Sequence, residues 1–147
     1  MEWVSEFKSE KESPGFLLWR VTQAWQRQIT KELSSFELTH VQFVLLAACD
    51  YMCSQEQTVT QKKLADYTEL NVMMISEVVR TLESKDFLER SKNPLDKREI
   101  LLTTTDKGSQ LIKRVIPVVE GIDKRFFAPI EQIHDFNHSL LSLLKIK

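Results

Sequence analysis

The stretch TQKKLADYTELNVMMISEVVRTLESKDFLERSKNPLDKREILLTT, residues 60–104, changes its hydrophobic period part-way along, and that change decides the fold. Thr60 is a good helix N-cap for Gln61 to about Tyr67, with Leu64 and Ala65 inward. Thr68–Asn71 reads as a turn. A second helix follows, about Val72 to Lys85, in which Ile75, Val78, Val79 and Leu82 recur at i, i+3, i+4 and i+7 as a one-sided apolar stripe. With that stripe on the core, a rotation of about 100° per residue puts Met73, Ser76, Glu77, Arg80 and Ser84 on the opposite side. The period then shortens. Phe87–Lys92 and Glu99–Thr104 read as two strands, and the polar segment Asn93–Arg98 between them makes a hairpin loop.

Helix, turn, helix and hairpin in this order predict a winged helix-turn-helix. The second helix of such a pair fits the major groove of duplex DNA, about 12 Å wide. A hairpin with basic residues reaches the phosphates and the narrow, electronegative minor groove. The candidate DNA contacts are therefore Thr60, Gln61 and Lys62 at the start of the first helix, Met73, Met74, Ser76, Glu77 and Arg80 on the second, and Asp96, Lys97 and Arg98 in the wing. Ser76, Glu77 and Arg80 are weighed against a merely solvated helix face. The two methionines are weighed against packing on the neighbouring helix. Residues 60–98 hold eight basic and seven acidic side chains, a net charge of only +1, so affinity must lean on shape and a few contacts.

Outside this lobe the pattern is helical throughout, with three glycines and four prolines in 147 residues. Ser13–Pro14 opens a first helix to about Ser34, whose stripe is Leu18, Val21, Trp25 and Ile29, widened by Phe16, Leu17 and Leu33. Thr39 caps a second, nearly all apolar from Phe43 to Cys49. After the wing, Thr105 caps a long helix with Ile112, Val115, Ile116, Val119, Ile122 and Phe126 in line. Pro117 is expected to bend it. A last helix runs from about Pro129 to Lys145. The prediction is one mainly α domain over residues 1–147, with six helices and a small β-hairpin wing. Segments of about 13–36 and 105–147 form a dimerisation platform, and about 37–104 form the lobe. A lone subunit would expose too much apolar surface on the terminal helices, so the chain is expected to pair as a homodimer.

Four segments in register resemble the MarR family of regulators. Leu38-Thr39-His40-Val41-Gln42-Phe43 is similar to the family's LTxxQ(F/W) opening of its second helix, and Thr60–Ala65 to its third. Leu82–Arg90 is similar to LExxGL(V/I)xR, and Asp96-Lys97-Arg98 with Leu102–Gly108 to the wing signature DxR…LTxxG. The chain departs from that pattern at Asp86, where glycine is usual, at Glu77, often basic, and at Met73, usually polar. The resemblance implies a dimer built from the first, fifth and sixth helices that presents two recognition helices to a pseudo-palindrome. It implies that Arg98 enters the minor groove, oriented by Asp96. It implies repression, and a small anionic or aromatic effector between helices and lobe, for which Trp19, His40 and Phe43 are candidate contacts.

Other classes find little support. Hydrophobic residues make up 42% and charged residues 28%, the balance of a globular protein. No apolar run reaches the roughly 18 residues of a membrane span, and the N-terminus lacks the pattern of a signal peptide, so a cytoplasmic address is expected. The net charge of −1 neither favours nor excludes nucleic acid. No nucleophile elbow, Walker loop, zincin or dinucleotide motif is present, so neither catalysis nor a cofactor is expected. Cys49 and Cys53 are spaced as a CxxxC thiol pair, and His134 and His138 at i, i+4 could share a metal. Inert buried thiols and surface histidines are the simpler readings. Two rival functions stay open: a winged-helix protein-interaction module that binds no DNA, and a metal- or thiol-sensing regulator.

Overall fold

Helix capping divides the chain much as its sequence predicts. The computed structural model describes residues 2–145. The expected limits at Met1 and Lys147, with Ile146, lie outside the described residues. The elements are α1 (Pro14–Leu33), α2 (His40–Ser54), α3 (Gln61–Thr68), α4 (Val72–Ser84), β1 (Leu88–Asn93), β2 (Asp96–Thr104), α5 (Asp106–Phe126) and α6 (Ile133–Lys145), with short 3-10 turns at Glu10–Glu12 and Ser34–Phe36. Each of the first five helices starts on a side-chain oxygen that accepts a backbone N–H. Ser13 accepts from Phe16 (3.3 Å), Thr39 from Gln42 (3.2 Å), Thr60 from Lys63 (3.0 Å), Asn71 from Met74 (2.8 Å) and Thr105 from Gly108 (3.0 Å). Thr39 and Gln42 form a reciprocal capping box.

The apolar α2 is the hub, in contact with α1, α3, α4, α5 and β2. Leu45, Leu46 and Cys49 on α2 are fully buried with Leu64 of α3, Ile75, Val79 and Leu82 of α4, Ile29 and Leu33 of α1, and Ile112 and Val115 of α5. Each such side chain contributes on the order of 1.5–3 kcal/mol of hydrophobic free energy. Among the described residues no polar side chain is buried, so the core has no desolvated group to offset.

The wing is an antiparallel pair running from Leu88↔Thr104 to Asn93↔Asp96. Its turn is shorter than the six-residue loop expected. Only Pro94 and Leu95 lie between the strands, because the Asn93 Oδ1 accepts the Leu95 N–H (2.9 Å) and closes the turn locally. A third piece of chain joins the sheet. The Leu102 N–H donates to the Val59 carbonyl (2.9 Å), and Thr60 bridges Leu101. One other boundary also moves. α6 starts at Ile133 rather than near Pro129, because Pro129 sits in a turn closed by the Ile130 N–H on the Phe127 carbonyl (3.0 Å). α5 continues through Pro117, which is solvent-exposed, so water can serve the carbonyl that proline leaves without a donor.

The terminal helices are under-buried. α6 buries none of its described residues, and Leu140, Leu141, Leu143 and Leu144 are all exposed. Its anchor is aromatic: Phe136 lies 5.7 Å from Phe127, centroid to centroid. On α1 the expected stripe splits. Ile29 and Leu33 are in the core, while Phe16, Leu17, Leu18 and Val21 face outward.

Candidate nucleic-acid interface

α4 is held at both ends, which fixes its outer face in space. At its start the Asn71 cap aligns the first turn. At its end the Lys85 ammonium donates to the Glu37 carbonyl (2.6 Å) and lies 3.3 Å from the Gln42 Oε1, tying α4 to the capping box of α2. Glu83 pairs with Arg90 at 3.0 Å, tying α4 to β1. The chain then turns through Asp86 at φ 65°, the left-handed position where glycine is usual. Ile75, Val79 and Leu82 point into the core, and Val72, Met73, Glu77 and Arg80 are exposed. Ser76 is half-buried and accepts from the Arg80 guanidinium (3.1 Å).

The wing places its basic residues differently. The register shifts between Lys92 and Asn93, so Lys97, Arg98 and Glu99 fall in an irregular segment of β2 rather than in a regular ladder. Asp96 Oδ1 accepts the Arg98 backbone N–H (3.0 Å) and lies 3.5 Å from its Nε. The Arg98 side chain is 93% exposed, so this contact adds little stability. What it supplies is direction. The carboxylate holds the base of Arg98 while its fork of donors stays free for an acceptor outside the chain.

Of the eight cations in residues 60–98, Lys85 and Arg90 are tied to other elements, Lys63 donates to the Thr58 carbonyl (3.3 Å), and Arg80 and Arg98 make the local contacts with Ser76 and Asp96 given above. Lys62, Arg80, Lys92, Lys97 and Arg98 are exposed. Thr60 is occupied as cap and bridge, so it positions α3 against the wing. Gln61 is half-buried beside it, and Met74 is partly exposed.

These features coincide with comparisons to known proteins. The MarR family model matches residues 38–100. YdcH of Bacillus subtilis, named an uncharacterized HTH-type transcriptional regulator, is 55% identical over 145 residues, 99% of each chain. This chain belongs to the MarR family. A second relative, the HTH-type transcriptional repressor Rv2887 of Mycobacterium tuberculosis, is 30% identical over 114 residues, covering 78% of this chain and 79% of that one. In fold, this MarR-family regulator matches a mutant MarR from E. coli complexed with operator DNA, with TM-score 0.81 and 22% identity over 95% of this chain and 99% of that one. It also matches PcaV of Streptomyces coelicolor in complex with its natural ligand, with TM-score 0.78 and 25% identity over 96% and 95%.

The three residues expected at an effector site have different surroundings. Trp19 is exposed on α1, and Phe43 packs partly buried against the core. His40 meets a different tryptophan: Trp25 stands edge-on to it, ring centroids 5.1 Å apart. The Trp25 indole N–H donates to Asp123 Oδ1 (2.7 Å) across α1 and α5. Burial pushes the His40 imidazole below its ordinary pKa, and the nearby Asp123 charge pulls the other way. Trp25 also borders an apolar groove of about 390 Å³ with Leu18, Val21, Phe136 and Leu140. Sequence spacing gave no sign of the Trp25–Asp123 pair, whose members lie 98 residues apart. The strand-like segment at Val59 did carry a signal, the β-branched run Thr58-Val59-Thr60.

Cys49 is buried and Cys53 half-buried on α2. Burial first, and Cys53 second, push the Cys49 thiol far above its ordinary range, which suppresses the reactive thiolate. His134 and His138 are exposed on α6, and among the described residues no group of three His, Cys, Asp or Glu side chains is placed to hold a metal.

Proposed function

We propose that this MarR-family regulator represses transcription by occupying a pseudo-palindromic duplex operator as a homodimer. Its two α4 helices enter successive major grooves about 34 Å apart. Its wings place Arg98 in the flanking minor grooves. The observation that carries this reading is the Asp96–Arg98 arrangement, in which Asp96 holds the Arg98 backbone N–H and lies beside a guanidinium left exposed at the wing. The dimer is supported by the exposed leucines of α6 and the outward apolar face of α1, a surface too large for an isolated subunit. The names of Rv2887 and of the operator-bound MarR support repression and duplex DNA as the target.

Fluorescence anisotropy of the chain on its own upstream DNA, across a salt series, tests this. Affinity should fall steeply with salt. Arg98→Ala should weaken binding by about tenfold or more and lower the salt slope by about 1. Failure to bind that duplex and random duplex alike at low salt would favour a protein-interaction module.

An effector that enters beside Trp25 and His40 would act by preferring one arrangement of the two lobes, and could shift the equilibrium only by that preference. The ligand-bound PcaV supports such a site, as does the half-buried Trp25–His40–Asp123 cluster.

A further inference from the structure

The α4 tip carries an unusual surface for a base-reading helix. Val72 is 64% and Met73 80% exposed in its first turn, and Met74 beside them is also partly exposed. In helix-turn-helix docking, the N-terminal residues of the second helix meet the base edges. Bidentate readout of guanine or adenine needs Arg, Lys, Asn or Gln there. Asn71 spends its carbonyl oxygen on the Met74 N–H, and Arg80, two turns further on, leans on Ser76. Glu77 only accepts, which suits an amino donor such as cytosine N4 and gives no bidentate readout of a purine. The first turn itself, Val72 to Ile75, carries no polar side chain, so the apolar pair is what the tip offers.

In the major groove one base edge is apolar: the C5-methyl group of thymine. We propose that Val72 and Met73 are specificity determinants that read thymine C5-methyl groups, so that each half-site places one or two thymines under the α4 tip. This rests on the DNA-binding reading above and adds to it the chemistry of the recognised base. Exposed cations elsewhere in the lobe, Lys62 on α3 and Arg80 further along α4, remain available to phosphates. A partner protein docking on the apolar tip would gain nothing from a duplex.

Replacing thymine by uracil removes this methyl and leaves the pairing unchanged. Duplexes with a randomised core are selected on the full-length chain, and the best is resynthesised with uracil at each thymine in turn. At one or two positions per half-site, uracil should weaken wild-type binding about 3- to 5-fold, the worth of one buried methyl. Met73→Ala removes no core contact, and in it the thymine-to-uracil ratio at those positions should fall towards one. Val72→Ala should do the same at the neighbouring position. A selected duplex that binds equally well with uracil throughout overturns the proposal while DNA binding stands. So does a methyl effect that persists in both variants. Selection that enriches no sequence overturns the DNA-binding reading and the proposal with it.

Discussion

His40 shows how one residue can report on its surroundings. It starts α2, yet its ring faces Trp25 of α1, with Asp123 of α5 nearby. An imidazole held below its ordinary pKa binds its proton more readily in the unfolded chain than in the fold. It therefore lends stability above about pH 6.5, and that contribution is lost as pH falls through the lower folded value. Urea midpoints should drop between pH 7.5 and 5.5, and His40→Gln should flatten part of that drop. An identical pH dependence in the variant would remove His40 from the account. Arg98 makes the opposite point: its structural contacts are weak, and its proposed role rests on what they leave free.

At the scale of elements, the joint between the lobe and α5 is the most constrained. The turn after α4 is fastened to the start of α5 by the Thr105 N–H on the Phe87 carbonyl (3.1 Å), the Thr105 hydroxyl on the Asp86 carbonyl (2.7 Å) and the Lys107 ammonium on the Lys85 carbonyl (3.2 Å). Gly108 completes it, since a Cβ there would run into the Phe87 carbonyl oxygen. Gly108→Ala should cost about 1–3 kcal/mol and lower Tm by several degrees. Gly15→Ala, at an open helical position, should leave Tm unchanged or raise it slightly. A Gly108→Ala protein that melts with the wild type would dissolve the joint. The same joint explains why most of the fold was legible in the sequence. Thr39, Thr60 and Thr105 are local caps, and the α4 stripe is a local period, so both survive without tertiary knowledge. The Trp25–Asp123 bond depends on side chains meeting in space, whereas the short wing turn and the late start of α6 rest on local bonds at Asn93 and Phe127 that periodicity does not register. The candidate site divides the same way: α4 and the wing follow from motif order, while the meeting of His40 with Trp25 is decided by packing.

At the scale of the molecule, the surface proposed for assembly and the surface proposed for recognition lie in different parts of the chain. The exposed apolar side chains of α1 and α6 lie outside the lobe that carries α4 and the wing. Val21 and Leu140 border one groove there. Val21→Glu with Leu140→Glu should give a monomer by sedimentation velocity at micromolar concentration, while the wild type sediments as a dimer whose Tm rises with concentration. A wild-type chain that stays monomeric would end the dimer proposal. The separation also has a genetic consequence. A subunit crippled only in its wing keeps the surface that finds partners, so in a cell making both forms it captures intact subunits into half-armed pairs. Random pairing then leaves fully armed dimers in the minority. Damage to Arg98 should behave as a dominant allele, whereas damage to the α1 and α6 surface should be recessive.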